Sequence, residues 1–311
     1  MRFIKSGKTY IWGKTEIKGR MKVVELLNSR GSIKENFLNL LRGYSTPEVL
    51  LVKILYLVKG SVFKPLIMGY VVTKLPGNVR IFINDKATLN INIPDFYLRK
   101  EYTRHPDYVP SRGWVVLDVG AYIGIYTLWT SKRVGNDGFV VAFEPNPLAF
   151  RYLMGNIELN KVRNVKAMPY ALGDYIAKSV LYVAGENIEA SSLIKNHITN
   201  NPLGRYPIID SFLVQVLTLD YVIDRSIAVV GRPIDHVDLA KIDVEGYEMK
   251  VLRGAEKALN KGIIERLVVE VHTDQVSTKE LIKALARYGY ALDKVVRFGD
   301  VKDVVYVRQK C

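Results

Sequence analysis

Five acidic side chains follow short apolar runs in this chain, each at the point where a strand would end. Because the carboxyl ends of parallel strands meet at one edge of a sheet, we expect these carboxylates to converge on one rim. Carboxylates grouped in this way can accept hydrogen bonds from hydroxyls, pair with a cation or take up a proton. The five acids are Asp118, Glu144, Asp174, Asp243 and Glu270.

The first of these acids belongs to a glycine turn. Residues 115–127 read VVLDVGAYIGIYT, a strand-like run that reaches two glycines at the spacing G-x-x-x-G and then opens a helix. Glycines at such a turn let backbone N–H groups approach a ligand closely. The spacing differs from the G-x-G-x-x-G of dinucleotide-binding turns, and an acidic strand tip suits a cationic or hydroxylated ligand better than a pyrophosphate. S-adenosylmethionine is such a ligand, and we predict that it contacts Asp118, Gly120, Ala121, Tyr122 and Gly124.

Two further acids of the set complete the predicted binding site for this cofactor. Glu144 ends the predicted strand Phe139–Phe143, and Asp174 follows the next strand along the chain. In doubly wound sheets an acid at the end of the second strand accepts hydrogen bonds from ribose hydroxyls, so we assign Glu144 to the ribose. Asp174 is the candidate partner of the adenine amino group.

A second group of polar residues follows the later strands. We predict that these residues act on the acceptor, the molecule that would receive the methyl group. Asp243 and Glu245 lie two residues apart after the predicted strand Leu239–Ile242, and His272 follows Arg266–Val271. A carboxylate can orient a hydroxyl or take its proton, and a histidine can act as a base near neutral pH. Both carboxylates could also bind a divalent cation, so metal use stays open. We predict Asp243, Glu245 and His272 as catalytic residues, and we expect the remaining histidines at the surface or in loops: His105, His197 and His236.

The apolar runs predict an α/β fold. Strands alternate with helices through residues 101–311, which is typical of a parallel sheet covered by helices on both faces. Single helices are predicted over Ser191–Asn200 and Tyr247–Leu259. The last two runs, Tyr290–Arg297 and Val304–Arg308, are predicted as an antiparallel hairpin at the sheet edge. We therefore expect a doubly wound, mostly parallel, seven-stranded sheet.

Residues 1–100 are predicted as a separate N-terminal α/β extension of helices and a β-hairpin. They hold 18 Lys or Arg against 6 Asp or Glu, whereas the remainder of the chain is nearly neutral. A basic surface gathers anionic partners and is screened by salt. The apolar helix predicted over Val49–Val58 is too short to span a bilayer, so it either packs on a core or lies at a membrane surface. The hairpin is predicted to pair Val79–Ile83 with Ala87–Ile93.

Together the motifs closely resemble one family. The segments DVGAYIGIYT, KIDVEGYEMKVLRGA and EVH are similar to those of FkbM-type methyltransferases, and the resemblance covers about two thirds of the chain, roughly residues 100–295. It implies a Rossmann-like class I methyltransferase fold and S-adenosylmethionine as the methyl donor. It also implies an acceptor hydroxyl on a glycan, a glycolipid or another small metabolite. The residue after Ala121 is usually Asn in that family and is Tyr122 here.

Two other functions fit parts of the sequence. The basic extension is compatible with an RNA methyltransferase, although base-methylating enzymes of this fold commonly carry an Asn/Asp-Pro-Pro-aromatic loop where this chain has residues 243–246, DVEG. A non-catalytic glycan- or membrane-binding module on the same fold is the third alternative.

The single cysteine, Cys311, fits a reducing compartment. We therefore expect a cytoplasmic protein, with peripheral contact to an anionic membrane favoured over nucleic acid.

Overall fold

The described residues fall into two units. Unit 1 is Met1–Arg99 and unit 2 is Lys100–Cys311. The helix predicted over Val49–Val58 lies outside the described residues. The structure is a computed structural model, and it describes residues 4–6, 9–11, 71–83, 87–185, 187–200, 206–299 and 302–310.

Two antiparallel strand pairs lie in unit 1. Strand β1 (Ile4–Ser6) pairs with β2 (Thr9–Ile11), and β3 (Val71–Leu75) pairs with β4 (Val79–Ile83). The turn that joins β3 to β4 contains Gly77 and Asn78, both with positive φ. Gly and Asn adopt this conformation more easily than other residues, which explains the tight reversal.

The predicted pairing of β4 with Ala87–Ile93 is wrong. Residues Thr88–Asn92 form a π-helical turn, and the short α-helix Ile93–Tyr97 follows it directly. Pro94 lies in the first turn of that helix, where its missing N–H is not needed, whereas a strand ladder would have lacked a donor there. The partner of β4 is instead the strand that precedes it in the chain.

Unit 2 contains ten strands among its described residues. Seven of them form one sheet in the order β13-β14-β12-β11-β5-β6-β7, and the other three form a small sheet in the order β8-β10-β9. In chain order they are β5 (Val115–Val119), β6 (Phe139–Phe143), β7 (Val165–Met168), β8 (Ala171–Leu172), β9 (Ala177–Ala184), β10 (Ile208–Leu217), β11 (Leu239–Ile242), β12 (Arg266–His272), β13 (Tyr290–Phe298) and β14 (Lys302–Gln309).

The large sheet confirms the predicted fold class. Strands β7, β6, β5, β11 and β12 are parallel, and β14 joins β12 antiparallel, with β13 outside it. The inner strands are apolar on both faces because helices cover both, as in other parallel sheets. The chain continues from β5 to β6 on one side and returns to β11 on the other. Ligands of open α/β sheets bind beyond the strand ends at this reversal point.

The helices of unit 2 differ from prediction at two places. The helix predicted over Tyr247–Leu259 is two helices that part at Gly254, because Gly254 lies against the backbone of Gly173: an added Cβ would be 1.8 Å from its carbonyl oxygen. The helix predicted over Ser191–Asn200 begins only at Lys195. The α-helices of unit 2 are Ile125–Val134, Pro147–Leu159, Lys195–Asn200, Leu219–Asp224, Ser226–Val229, Glu248–Arg253, Glu256–Asn260 and Thr278–Arg287.

The small sheet lies in the chain between β7 and β11. Strand β10 pairs antiparallel with β9 and parallel with β8. The connection from β9 to β10 includes the 3-10 turn Ile188–Ala190 and the helix Lys195–Asn200. None of the helices in the described part of the chain has the length and hydropathy needed to cross a membrane.

Candidate active site

A cavity lies where the main strands reverse direction, and its roughly 630 Å³ of space includes open solvent at its mouth. The turn after β5 contributes Gly120 and Tyr122, the end of β6 contributes Glu144, and the end of β11 contributes Asp243 and Glu245. The remaining wall comes from the small sheet and the segment that follows β9, which includes Leu181, Ile188, Glu189, Ser191 and Leu193. Strand ends and an inserted segment therefore enclose one space.

The glycine turn after β5 has no room for side chains at its two glycines. Gly120 has φ +83°, and a Cβ there would lie 1.7 Å from the backbone oxygen of Asp243. Gly124 has φ +92°, and its Cβ would lie 2.7 Å from a methyl group of Leu153. The N–H groups of Gly120 and Ala121 both donate to the carbonyl of Phe143, at 3.0 and 2.9 Å. The predicted role of Ala121 therefore rests on its backbone, since its side chain is buried.

Tyr122 also occupies the left-handed region, with φ +50°. Among residues other than glycine, Asn enters this region most easily, which is a physical reason for the Asn that the family usually places here. The tyrosine keeps the turn, and its N–H donates to Oε2 of Glu144 at 2.7 Å. The unusual residue therefore changes the side chain on the cavity wall and leaves the backbone contact in place.

Glu144 is held by two backbone donors. Its second partner is the N–H of Asn146, which donates to Oε1 at 2.8 Å. Burial raises the pKa of Glu144 to about 7, although the two backbone hydrogen bonds act in the opposite direction. With both oxygens oriented and the side chain on the cavity wall, Glu144 stands where a ribose acceptor is predicted.

Asp118 is fully buried and is not among the residues that line the cavity. Thr127 donates its hydroxyl to Asp118 at 2.5 Å, and the ammonium of Lys241 lies 3.3 Å away. Lys241 is the register partner of Asp118 on β11 and donates to the carbonyl oxygen of Gly120 at 2.6 Å. Asp118 thus fixes a lysine that holds the glycine turn. Its direct contact with the cofactor stays a prediction.

Asp174 likewise lies outside the set of lining residues. Its carboxylate pairs with Lys250 at 3.0 Å and with Arg253 at 3.3 Å. Burial acts to raise the pKa of Asp174, but the hydrogen bond and charge of Lys250 outweigh it and lower the pKa. Its predicted contact with adenine is untested, and the partners that the structure gives it are cationic side chains.

Asp243 lies in a network of side chains from distant parts of the chain. The hydroxyl of Tyr102 lies 2.9 Å from Oδ2 of Asp243 and 2.8 Å from Oε2 of Glu270, and Lys241 is 3.4 Å from Asp243. Burial and the neighbouring charge of Glu270 raise the pKa of Asp243 to about 6. Burial raises the pKa of Tyr102 well above its usual range, so Tyr102 remains a hydrogen-bond donor. Glu270 is in turn paired with Lys302 at 2.8 Å.

Two histidines converge on Glu245. Nε2 of His197 lies 2.9 Å from Oε2 of Glu245, and Nε2 of His272 lies 3.3 Å from the same oxygen. The prediction that His197 is a surface or loop residue is wrong, because it is fully buried on the helix Lys195–Asn200. His272 is also buried and does not line the cavity. It contacts Glu245, which does.

The other ring nitrogens of these histidines face further carboxylates. Nδ1 of His197 lies 2.8 Å from Asp274, and Nδ1 of His272 lies 2.8 Å from Glu248. Burial alone would lower the pKa of His272, but the charges of Glu245 and Glu248 raise it well above its usual range. The acceptor side of the cavity is therefore a dense group of carboxylates balanced by a few cations.

Sequence reasoning missed several members of this group. Lys241 could have been identified from the sequence, because it is a charged residue inside an apolar strand. A parallel sheet places that strand, β11, beside β5. Burial and the charges of Asp243 and Glu245 raise the pKa of Glu189 well above its usual range, yet no motif marks it. The residues found only in the structure are Tyr102, Glu189, His197, Lys241, Glu248 and Lys302.

The doubly wound sheet, the glycine turn after its first strand and the acid after its second define a class I, S-adenosylmethionine-dependent methyltransferase. The methyltransferase FkbM domain matches residues 118–292, more than half of the chain, and the chain belongs to this family.

Named relatives agree with this membership. The chain is 28% identical over 214 residues to "Methyltransferase 1" of Beauveria bassiana, an alignment that covers 64% of this chain and 80% of the relative. It is 29% identical over 195 residues to the 31-O-demethyl-FK506 methyltransferase FkbM of Streptomyces tacrolimicus, covering 58% and 74% of the two chains. Among solved structures, a SAM-dependent methyltransferase from Aquifex aeolicus is 17% identical with a TM-score of 0.41, covering 72% of this chain and 93% of that one.

Proposed function

We propose that this methyltransferase is an O-methyltransferase whose acceptor is a hydroxyl of a glycan, a glycolipid or another small metabolite. One observation carries the proposal: a single cavity joins the glycine turn and Glu144 to the carboxylates Asp243 and Glu245. Cofactor-type and acceptor-type groups are thus close enough to act on one reaction.

The residues of the glycine turn fit the cofactor that the family uses. Gly120, with positive φ and the backbone of Asp243 in the space where a Cβ would stand, keeps the turn in place on the cavity wall. Glu144 would accept hydrogen bonds from the ribose, and the ring of Tyr122 would form part of the wall beside it. When bound, S-adenosylmethionine supplies a methyl group already activated by its sulfonium.

The chain then has two tasks, which are to position the acceptor and to remove its proton. As the acceptor oxygen forms its bond to the methyl carbon, the carbon–sulfur bond breaks and the electron pair stays on sulfur. The acceptor's proton passes to the carboxylate of Asp243, which Tyr102 and Lys241 hold in place. Glu245 orients the acceptor from the same wall, with His197 and His272 fixing its carboxylate.

The charge of the cavity favours a hydroxylated acceptor over RNA. Four of the side chains on its wall are carboxylic acids and none of the lining residues in the described part of the chain is a lysine or an arginine, so that wall offers no cationic side chain to the phosphodiester backbone of RNA. The relative from Streptomyces tacrolimicus is named for methylation at an oxygen, which supports the same reaction type here. The four acids are Glu144, Glu189, Asp243 and Glu245.

A labelling experiment tests the proposal. The purified protein is incubated with S-adenosylmethionine carrying a deuterated methyl group and with extracts separated into glycan, lipid, small-molecule and RNA fractions. We expect mass spectrometry to find the label on an oxygen in one of the first three fractions and to find about a hundredfold less of it with D243N. Label on RNA, or cofactor binding without label in any fraction, would contradict the proposal and favour the RNA-directed or non-catalytic alternative.

The basic extension is proposed to bring this activity to an anionic membrane from the cytoplasmic side. The support is compositional: most of the chain's net charge of +14 lies in residues 1–100. Co-sedimentation with anionic vesicles should exceed that with neutral vesicles and keep part of its strength as salt rises. Binding to RNA alone, or to neither, would overturn this part of the proposal.

A further inference from the structure

The two histidines and the carboxylate behind the cavity wall have the arrangement of metal ligands. His197, Glu245 and His272 each offer one ligand atom, and these atoms all lie within 4.8 Å of one another. The nitrogen–oxygen separations are 2.9 and 3.3 Å. Two ligand atoms bound tetrahedrally to one zinc ion, each about 2.0 Å from it, are about 3.3 Å apart. Both nitrogen–oxygen separations are therefore close to the spacing of two ligand atoms on one ion.

The second nitrogen of each ring is already supported. Nδ1 of His197 faces Asp274 and Nδ1 of His272 faces Glu248, both at 2.8 Å. A carboxylate behind a ligating histidine fixes the orientation of its ring and holds the proton on Nδ1, which leaves the Nε2 lone pair for a metal. Both histidines of the cluster have this support.

The Nε2 atoms of both rings face the same oxygen of Glu245. The ring centroids of His197 and His272 are 5.0 Å apart. One divalent ion between them would bind both nitrogens and this oxygen at once.

We propose that His197, Glu245 and His272 form a binding site for one divalent transition-metal ion, with Zn²⁺ as the representative. Imidazole ligands favour such ions over Mg²⁺ or Ca²⁺. Three protein ligands leave a coordination position open, and Glu245 also lines the cavity. An ion there would bind the acceptor hydroxyl and ease loss of its proton. This catalytic role rests on the proposed function, whereas metal binding itself does not.

A second cluster provides an internal control. His236, Asp238 and Glu265 bring one histidine and two carboxylates to ligand spacing, but His236 is exposed and lies 3.4 and 3.6 Å from the two carboxylates. It lacks the burial of the first cluster. H236A should therefore leave specific metal binding unchanged.

The test is a titration of the full-length protein after chelator treatment and dialysis. Isothermal titration with Zn²⁺ should give one equivalent for the wild type and for H236A. Affinity should fall by about a hundredfold or more in H197A and H272A, and by about tenfold in D274N, which removes the negative charge behind His197 and leaves all three ligands in place. Absorption of the Co²⁺-loaded protein should show mixed nitrogen and oxygen ligation that H197A removes.

Cofactor binding is measured on the same samples, as a check on folding and as a separate readout. Zn²⁺ binding that is absent from the wild type, or that survives in H197A and H272A, overturns the metal site even where S-adenosylmethionine still binds. Zn²⁺ binding with the expected losses, in a protein that transfers no methyl group, supports the site and overturns only the proposed function. D274N keeps the test decisive should a ligand variant fail to fold.

Discussion

One half of the cavity is formed mainly by backbone groups and the other mainly by side chains. The cofactor half depends on backbone: glycines at positive φ, and N–H groups that donate to Phe143 and Glu144. The half proposed for the acceptor depends on side chains that hydrogen-bond across long sequence distances, as Tyr102 and Asp243 do. Where the backbone is closely packed, as at Gly120, almost no substitution is tolerated. In a side-chain network, the loss of one member is partly offset by the contacts of the others.

G120A should give the largest loss. The added Cβ would meet the backbone of Asp243 at 1.7 Å in a conformation that already strains alanine. We expect the free energy of unfolding to fall by about 3 kcal/mol and cofactor binding to be lost, as measured by chemical denaturation and calorimetry.

G113A is the matched control for this change. Gly113 has nearly the same φ, +85°, but no atom lies within 4 Å of its added Cβ. Only the conformational strain remains, which is about 1 kcal/mol. Equal destabilisation by the two alanines would show that close approach at Gly120 does not matter.

D243N should separate the two halves. The amide cannot take the acceptor's proton, so turnover should fall by about a hundredfold, while the affinity for S-adenosylmethionine stays within about twofold. H272A should show the same division, through the orientation of Glu245. D137N, at an exposed ion pair with Arg112, should change neither quantity. A loss of cofactor affinity as large as the loss of turnover would contradict separate roles.

E144A should weaken cofactor binding by about tenfold, or about 1.4 kcal/mol, measured by isothermal titration. The alanine removes the acceptor of two backbone N–H groups as well as the predicted ribose contact. E158Q, on the exposed side of the helix Pro147–Leu159, is the control and should bind normally. Unchanged affinity in E144A would place the ribose elsewhere.

The pH dependence of the same carboxyl gives the smallest effect. The pKa of Glu144 is raised from 4.5 to about 7, so the folded protein holds this proton to higher pH than the unfolded chain. Its contribution to stability should therefore fall as pH rises from about 4.5 to about 7, and E144Q should lack this fall. Cofactor affinity should change in the opposite direction, because the ionised form accepts the ribose hydrogen bonds. Parallel curves for wild type and E144Q would refute both expectations.

The sequence alone locates the strand ends and the glycine turn of the half proposed for the cofactor. Glycine spacing, an acid at a strand tip and alternating apolar runs are local features, and parallel topology brings strand ends together without further information. Asp118 shows the limit of such reasoning. The sequence correctly located the strand end at Asp118. Only the structure shows that Asp118 pairs with Lys241 on β11 and that Asp118 does not line the cavity.

The acceptor half could not be assembled in the same way. His197 lies on an inserted helix, and no periodic pattern relates it to Glu245, 48 residues later. Tyr102 is 141 residues from Asp243 and 168 from Glu270. Such contacts depend on tertiary packing, which joins residues that are far apart in the sequence.

The insertion between β7 and β11 has an evolutionary consequence. One continuous stretch of chain supplies Leu181, Ile188, Glu189 and Leu193 to the cavity wall, while the turn after β5 and the acid after β6 lie outside that stretch. Exchange of residues 181–193 alone, by recombination or by design, would therefore change the wall proposed for the acceptor and leave the turn after β5, Glu144 and Asp174 in place. Relatives with different acceptors should accordingly diverge fastest in this interval and slowest around Gly120.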